Sequence, residues 1–430
     1  MKAERAVKIL LIGVLIAFFG GCGFGPIEDL LSPPRLTDEQ SAIYKALTDS
    51  KGSGLKLKYP RTGEHRSAFV LYGEKRDSAI VFYEITGINT ERSLRLNFLY
   101  KDENNNWESL HDWPITGTDI DNVSFVSLGE DEIEHILLSY IISQNEKGFM
   151  VISNFGRTPV MQHGDMYSFM QADYFFGRDR KELLVIKNDG SSVLATFYNF
   201  KNNQLFMDAW SYLDPFAGEY VEVMQGEVAR GIPALFITHR KSDNTAHYGT
   251  DVLHFRGGRL VNPMMINPEN AAGTLRMTNS VTELANPRDI DGDGIIKLSS
   301  SAREFPGYAD LPVNERLRPV IWRVLNGDTL EDAYYSYYSE RLDFAFLFPG
   351  RWVNEVTVKL NADENTVGFY EAAPSVNDAD VLLLKIQAVF KDGGTDYHFD
   401  APDPENPLTL TAEELDFAFR ILSEIKNVEE

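Results

Sequence analysis

Three kinds of apolar periodicity divide the chain. From Ile9 to Phe19 every residue is apolar apart from Gly13, behind a start that carries Lys2, Arg5 and Lys8 against Glu4. That stretch is too short to span a bilayer permanently and reads as a signal peptide over residues 1–21. A tether follows from Gly23 to Pro34. Thr37 and Gln40 then have capping-box spacing and Ile43 and Leu47 recur at helical interval, which predicts one short helix over 38–49 inside a segment 22–54. Lys51-Gly52-Ser53-Gly54 stops it, and from Leu55 to about Ser300 short strands alternate with clusters of Gly, Asp and Asn.

Within that region five segments share one plan: an apolar strand, a polar loop, and a second strand rich in branched aliphatics. They run Ala68–Leu71 to Ala79–Phe82, Val123–Val126 to Ile136–Leu138, Phe169–Asp173 to Leu183–Ile186, Val221–Met224 to Ala234–Ile237, and Val281–Leu284 to Ile295–Leu298. The residues beside each second strand, Ser78, His135, Glu182, Pro233 and Lys297, are spaced by 57, 47, 51 and 64. A four-stranded unit of that length cannot bury its own faces and has to stack on its neighbours, as a β-propeller blade does. The expected fold is mainly β, a propeller of five to seven blades over 55–330 followed by a small α+β sandwich domain over 331–430. An antiparallel sandwich or split barrel with uneven hairpins is the alternative.

The C-terminal pattern has period two. Phe344, Phe346 and Phe348, then Val356, Val358 and Leu360, then Leu384, Ile386, Ala388 and Phe390 mark half-buried strands. Thr411 and Glu414 open a helix predicted to bury Leu415, Phe419, Leu422 and Ile425 on one stripe. The run Phe-x-Phe-x-Phe-Pro-x-x-Trp at 344–352, with the Val-x-Val strand after it, resembles the PsbP-like α/β sandwich, which implies a binding or assembly module on an exported protein.

Composition narrows the function. With 64 acidic and 41 basic residues the formal charge is -23, which disfavours nucleic acid as a partner. One cysteine excludes an intramolecular disulfide framework, a four-cysteine zinc site and an iron–sulfur cluster. That cysteine stands in Phe19-Gly20-Gly21-Cys22 directly after the apolar run and resembles the lipobox of bacterial lipoproteins, with Phe19 where that family usually has leucine. The resemblance implies diacylglycerol on the sulfur of Cys22, a membrane anchor, and a location on the outer face of the bacterial cytoplasmic membrane or on the cell surface. A buried free cysteine after an ordinary signal peptide is the other reading.

The last repeat contains Asp289-Ile290-Asp291-Gly292-Asp293-Gly294, three carboxylates at alternate positions with the glycine a sharp turn needs. The loop resembles those of FG-GAP and integrin-alpha-like propeller repeats, a likeness degenerate elsewhere in 66–300. It implies calcium held by Asp289, Asp291 and Asp293 with the Ile295 carbonyl. The ninth position, an acid in that family, is Lys297, and the twelfth is Ser300, so an EF-hand proper is not expected. A solvated Asp-Gly turn is the competing reading. Of the other loops only Glu182 keeps an acid in the corresponding slot, and no metal is expected there.

No His-Glu-x-x-His, Gly-x-Ser-x-Gly, Walker or dinucleotide fingerprint occurs. His239, His247 and His254 read as scattered surface histidines, and the five tryptophans form no sugar platform. Tyr334, Tyr335, Tyr337 and Tyr338 could stack on sugar or peptide, or bridge two domains. The expected function is a lipid-anchored, non-catalytic binding protein that presents propeller loops to an envelope protein or glycan. The alternative is an envelope glycosidase using two carboxylates about 5 to 10 Å apart in the propeller funnel.

Overall fold

The computed structural model describes residues 36–73, 75–87, 90–130, 133–153, 158–242, 247–266, 274–275, 286–401 and 404–425. The signal peptide, Cys22 and the tether lie outside the described residues, as does Val281–Leu284, the first strand of the fifth expected repeat. The chain divides after Ile120 into two compact units.

In the first unit, helix α1 (Asp38–Lys51) opens on the expected capping box, with Thr37 accepting from the Gln40 N–H and Gln40 returning the bond. Its buried Ile43 and Leu47 join Phe69, Val81, Tyr83, Leu99 and Trp107 in one core. Those partners come from sheet I, formed by Leu55–Leu57, Phe69–Tyr72, Ser78–Gly87, Thr90–Lys101 and Trp107–Ile115. The expected hairpin 68–82 forms there, with Phe69 opposite Val81 and Leu71 opposite Ala79.

The second unit begins with three four-stranded antiparallel meanders whose strands pair in chain order. Sheet II is Asp119–Ser127, Glu134–Ile141, Lys147–Ser153 and Val160–Tyr167. Sheet III is Phe169–Asp173, Glu182–Asn188, Val193–Lys201 and Gln204–Tyr212. Sheet IV is Ala217–Ala229, Ile232–Lys241, Tyr248–Arg256 and Arg259–Val261. The inner strands are apolar on both faces and so bury in both directions. Leu137, Phe149 and Val151 of sheet II meet Leu183, Val185 and Phe200 of sheet III, while Leu184, Ile186 and Phe197 meet Leu235, Ile237 and Leu253 of sheet IV. The second, third and fourth expected strand pairs all fall on adjacent strands of these sheets.

Of the fifth expected pair only the second strand, Ile295–Leu298, lies among the described residues. Ile296 N–H donates to the Glu227 carbonyl at 2.9 Å, and the strand proper, Leu298–Ser301, pairs with Val320–Asn326. It is the first strand of sheet V, which continues through Thr329–Ser339 and Phe344–Leu347 to Phe419–Ile421. The hairpin 320–339 runs across residue 330, the boundary expected from the sequence, and carries the C-terminal sheet back to Leu298. Sheet VI is Val356–Asn361, Thr366–Glu371, Leu382–Lys391 and Gly394–Asp400.

Period two decides the packing of sheet V. Phe344, Phe346, Phe348 and Tyr337 meet Val356, Val358, Val367, Phe369 and Ile386 of sheet VI in one core, while Ala345, Leu347 and Tyr338 face Ile290, Trp322 and Leu422 on the other side. The terminal helix is shorter than expected. Helix α2 (Ala412–Ala418) has the capping box at Thr411 and Glu414 but ends at Phe419, whose backbone turns extended to pair with sheet V. The expected stripe is therefore split: Leu415 and Phe419 pack on the sheet VI side, Leu422 and Ile425 on the opposite one. A free sheet edge offers hydrogen bonds to Phe419, Arg420 and Ile421, and this outweighs continuing the helix through a phenylalanine and a β-branched isoleucine.

Candidate functional site

The acidic loop turns as its glycines require, with Gly292 and Gly294 at φ of +80° and +88°. The Asp289 carboxylate accepts from the N–H groups of Gly292 and Asp293 at 3.0 Å and of Gly294 at 2.8 Å, and Ile295 N–H donates to Asp293 at 2.8 Å. Asp289, Asp291 and Asp293 each bring an oxygen within 4.8 Å of the others. The centre of that group is held by Lys297. Its side chain is 3% exposed, and the ammonium contacts Asp291 and Asp293 directly and stands 3.6 Å from Asp289. Burial pushes Asp289 above the ordinary carboxylate range. At Asp291 burial acts the same way, but the Lys297 ammonium outweighs it and leaves that carboxyl below its ordinary value. The buried Ile290 pins the loop to the core of sheet V.

The other singled-out residues are also paired internally. Glu182 is fully buried, 2.5 Å from Arg178 and 3.5 Å from Arg180. His135 is buried with Nδ1 3.3 Å from the Val126 carbonyl and its ring on Phe200. The histidines near 247 do not lie on the surface as expected: His239 is fully buried and His254 is 5% exposed, while His247 is half-buried. His239 pairs with Gly249 and His254 with Ala234, so the two stand five residues apart along the sheet. His239 Nε2 instead lies 3.4 Å from Asp251 and 3.9 Å from Asp214, and Lys241 stands 3.1 Å from Asp214. Asn262 donates to Asp251 at 2.7 Å. This carboxylate pair is 3% and 1% exposed, below the surface and out of a substrate's reach.

Two adjoining cavities open at the end of strand Phe344–Leu347, the first of them beside α2. The first, about 410 Å³, is walled by Tyr334, Tyr335, Leu347, Phe348, Pro349 and Phe417, with Glu413 and Glu414 among its other lining residues. The second, about 300 Å³, shares Tyr335, Phe348 and Val353 with it and reaches Arg303, Glu304 and Phe305. Both volumes lie in or near the range of small-molecule and peptide-side-chain pockets.

Local sequence builds this cleft. Strand Phe344–Leu347 ends because Pro349 cannot donate to a ladder, and Gly350–Trp352 turns away as one 3-10 turn. Trp352 anchors the turn by donating from Nε1 to the Leu408 carbonyl at 2.7 Å. Arg351 grips α2 through a two-pronged ion pair with Glu414, one prong at 2.7 Å. That guanidinium holds the Glu414 carboxyl down to about 2. Glu413 and Phe417, four apart, project from one side of α2 into the cavity, and the Phe417 ring stands 5.9 Å from that of Tyr334. Burial, with the Asp291 carboxylate beside it, pushes the Tyr334 phenol up to about 12.

Tyr334 and Tyr335 of the tyrosine run thus reach the cleft, whereas Tyr337 and Tyr338 are core. Sequence reasoning missed Phe348, Glu413 and Phe417. The available signal was Phe417 itself, a large apolar residue off the stripe of Leu415 and Phe419 and 46% exposed.

No protein-family model matches the chain, and no curated protein matches its sequence. Among solved structures, a periplasmic gluconolactonase of Pseudomonas aeruginosa aligns at 10% identity over 79% of this chain and 90% of its own, with a TM-score of 0.25. A hypothetical selenium-binding protein of Sulfolobus tokodaii aligns at 7% identity over 74% and 75%, with a TM-score of 0.24. Likenesses this slight define neither fold nor activity for the chain, whose described residues form a mainly β protein of several antiparallel sheets.

Proposed function

We propose that the chain is a lipid-anchored extracytoplasmic binding protein without catalytic chemistry, and that its recognition site is the aromatic cleft beside α2. In this reading residues 1–21 direct export and Cys22 carries diacylglycerol. The anchor then holds the body at the outer face of the bacterial cytoplasmic membrane or at the cell surface. Two buried acyl chains give stable attachment at about 0.8 kcal/mol per methylene. The meanders serve as blades of a β-propeller of the FG-GAP-like kind, and the C-terminal sheets with α2 as a PsbP-like module. The observation that carries the reading is the cleft: Tyr334, Tyr335, Phe348 and Phe417 around about 410 Å³, the surface an envelope protein or glycan would stack on.

The placement of Lys297 favours reading the loop at 289–294 as a turn neutralised from within. Calcium there would need Lys297 displaced, because its ammonium already draws the carboxylates that would face the ion. For the glycosidase alternative, Asp214 and Asp251 are too buried to serve as the carboxylate pair.

The test is to immobilise the full chain and pass solubilised envelope of the source cell over it, with and without calcium. Retention lost in Tyr334→Ala and in Phe417→Ala, and unaffected by calcium, supports the reading. Release of small products from an envelope polymer, abolished by one carboxylate substitution, would overturn it in favour of an enzyme.

A further inference from the structure

Resting on the cleft as the binding site, we infer that its ligand carries an ammonium or guanidinium on an aliphatic stem, seated between the aromatic rings and Glu413. Glu413 lines the cavity, is exposed, and has no ion-pair or hydrogen-bond partner among the described residues. Its neighbour Glu414 is neutralised by Arg351, so of the two carboxylates that line the cavity Glu413 is the one left without a cation. One turn on, Phe417 presents its ring from the same side of the helix.

A cation already stands beside that ring, on a residue that does not line the cavity. The Arg420 guanidinium lies 5.0 Å from its centroid, held there by the carbonyls of Asp416 and Phe419. An apolar stem would lie along Tyr335 and Phe348, and the cation would end on ring faces and a carboxylate, the arrangement that favours organic cations. Polarity sets the direction. Arg303 lines the adjoining cavity and repels a cation directed there, while Glu304 in that cavity is engaged by Arg316 at 3.5 Å and Arg318 at 4.0 Å. A formal charge of -23 draws basic partners to the molecule as a whole.

The test uses the full chain and ligand-observed NMR with n-hexylammonium and n-hexanol, which share a stem and differ in charge. The blocked peptide acetyl-Ala-Lys-Ala-amide is the third probe, and tighter binding of the peptide or of the free amine tells which source the cleft prefers. Hexylammonium and peptide are expected to bind better than hexanol. Glu413→Gln should weaken both by roughly tenfold, while Glu103→Gln, which removes one exposed charge elsewhere, should leave them unchanged. Equal binding of hexanol, or equal effects of the two substitutions, would overturn the charge assignment. Failure of both cations to bind, while envelope material is still retained through Phe417, would overturn it too and leave the binding reading standing. Loss of both would remove the two together.

Discussion

Lys297 brings its ammonium to a place where 3% of the side chain meets solvent, and three aspartates meet it there. Removing one partner of a buried ion pair leaves the other uncompensated, so Lys297→Ala is expected to destabilise the second unit by about 3 kcal/mol, since Asp293 remains half exposed. Urea unfolding would read this. Millimolar calcium should leave the wild-type midpoint where it is, whereas a resident calcium site would raise it. Glu414 supplies a pH signature. Arg351 lowers its carboxyl from 4.5 to about 2, so the pair's contribution is fully present above 4.5 and is lost as pH falls from there through about 2. Melting curves of wild type and Glu414→Gln should converge across that window, and a gap constant from pH 5 to pH 2 would contradict the pairing. The aspartates and the intruding lysine were legible in the sequence because they sit at fixed offsets in one loop. Glu413 was not, because its role comes from what the 3-10 turn at Gly350–Trp352 does to its neighbour.

Among elements, hairpins and caps were the most readable. Both capping boxes formed, as local hydrogen bonding between Thr and a residue three later predicts. Thr411→Ala should cost about 1 kcal/mol and loosen α2, measurable as faster amide exchange at residues 412–418. Where α2 ends was not readable, because sheet V offers Phe419–Ile421 a pairing partner from 75 residues earlier, Phe344–Phe346. Contacts between sheets escaped the sequence for the same reason. Gly129 sits at φ +85°, bonds the Lys181 carbonyl, and a Cβ there would lie 2.0 Å from the Phe200 carbonyl oxygen. Gly129→Ala should therefore cost about 3 kcal/mol in chemical denaturation, more than Gly190→Ala, which shares the left-handed backbone at φ +84° but meets nothing within 4 Å.

At the scale of the whole molecule, alternating strands and near-regular spacing gave the succession of antiparallel sheets. They did not give the partner of Leu298–Ser301, which is the first strand of the C-terminal sheet. A strand of mixed serines, Leu298–Ser301, carries no mark of which neighbour it will join. The cleft arises at that level: one wall is a strand end, another a turn, the third a seven-residue helix. The proposed recognition site therefore lies on the C-terminal sheets and not on loops of the repeats. The most direct test is hydrogen–deuterium exchange on the full chain with and without the envelope material it retains. The account predicts protection at 329–339, 347–353 and 411–419. Protection confined to the outer strands Val160–Tyr167 and Gln204–Tyr212, with the cleft unchanged, would contradict it.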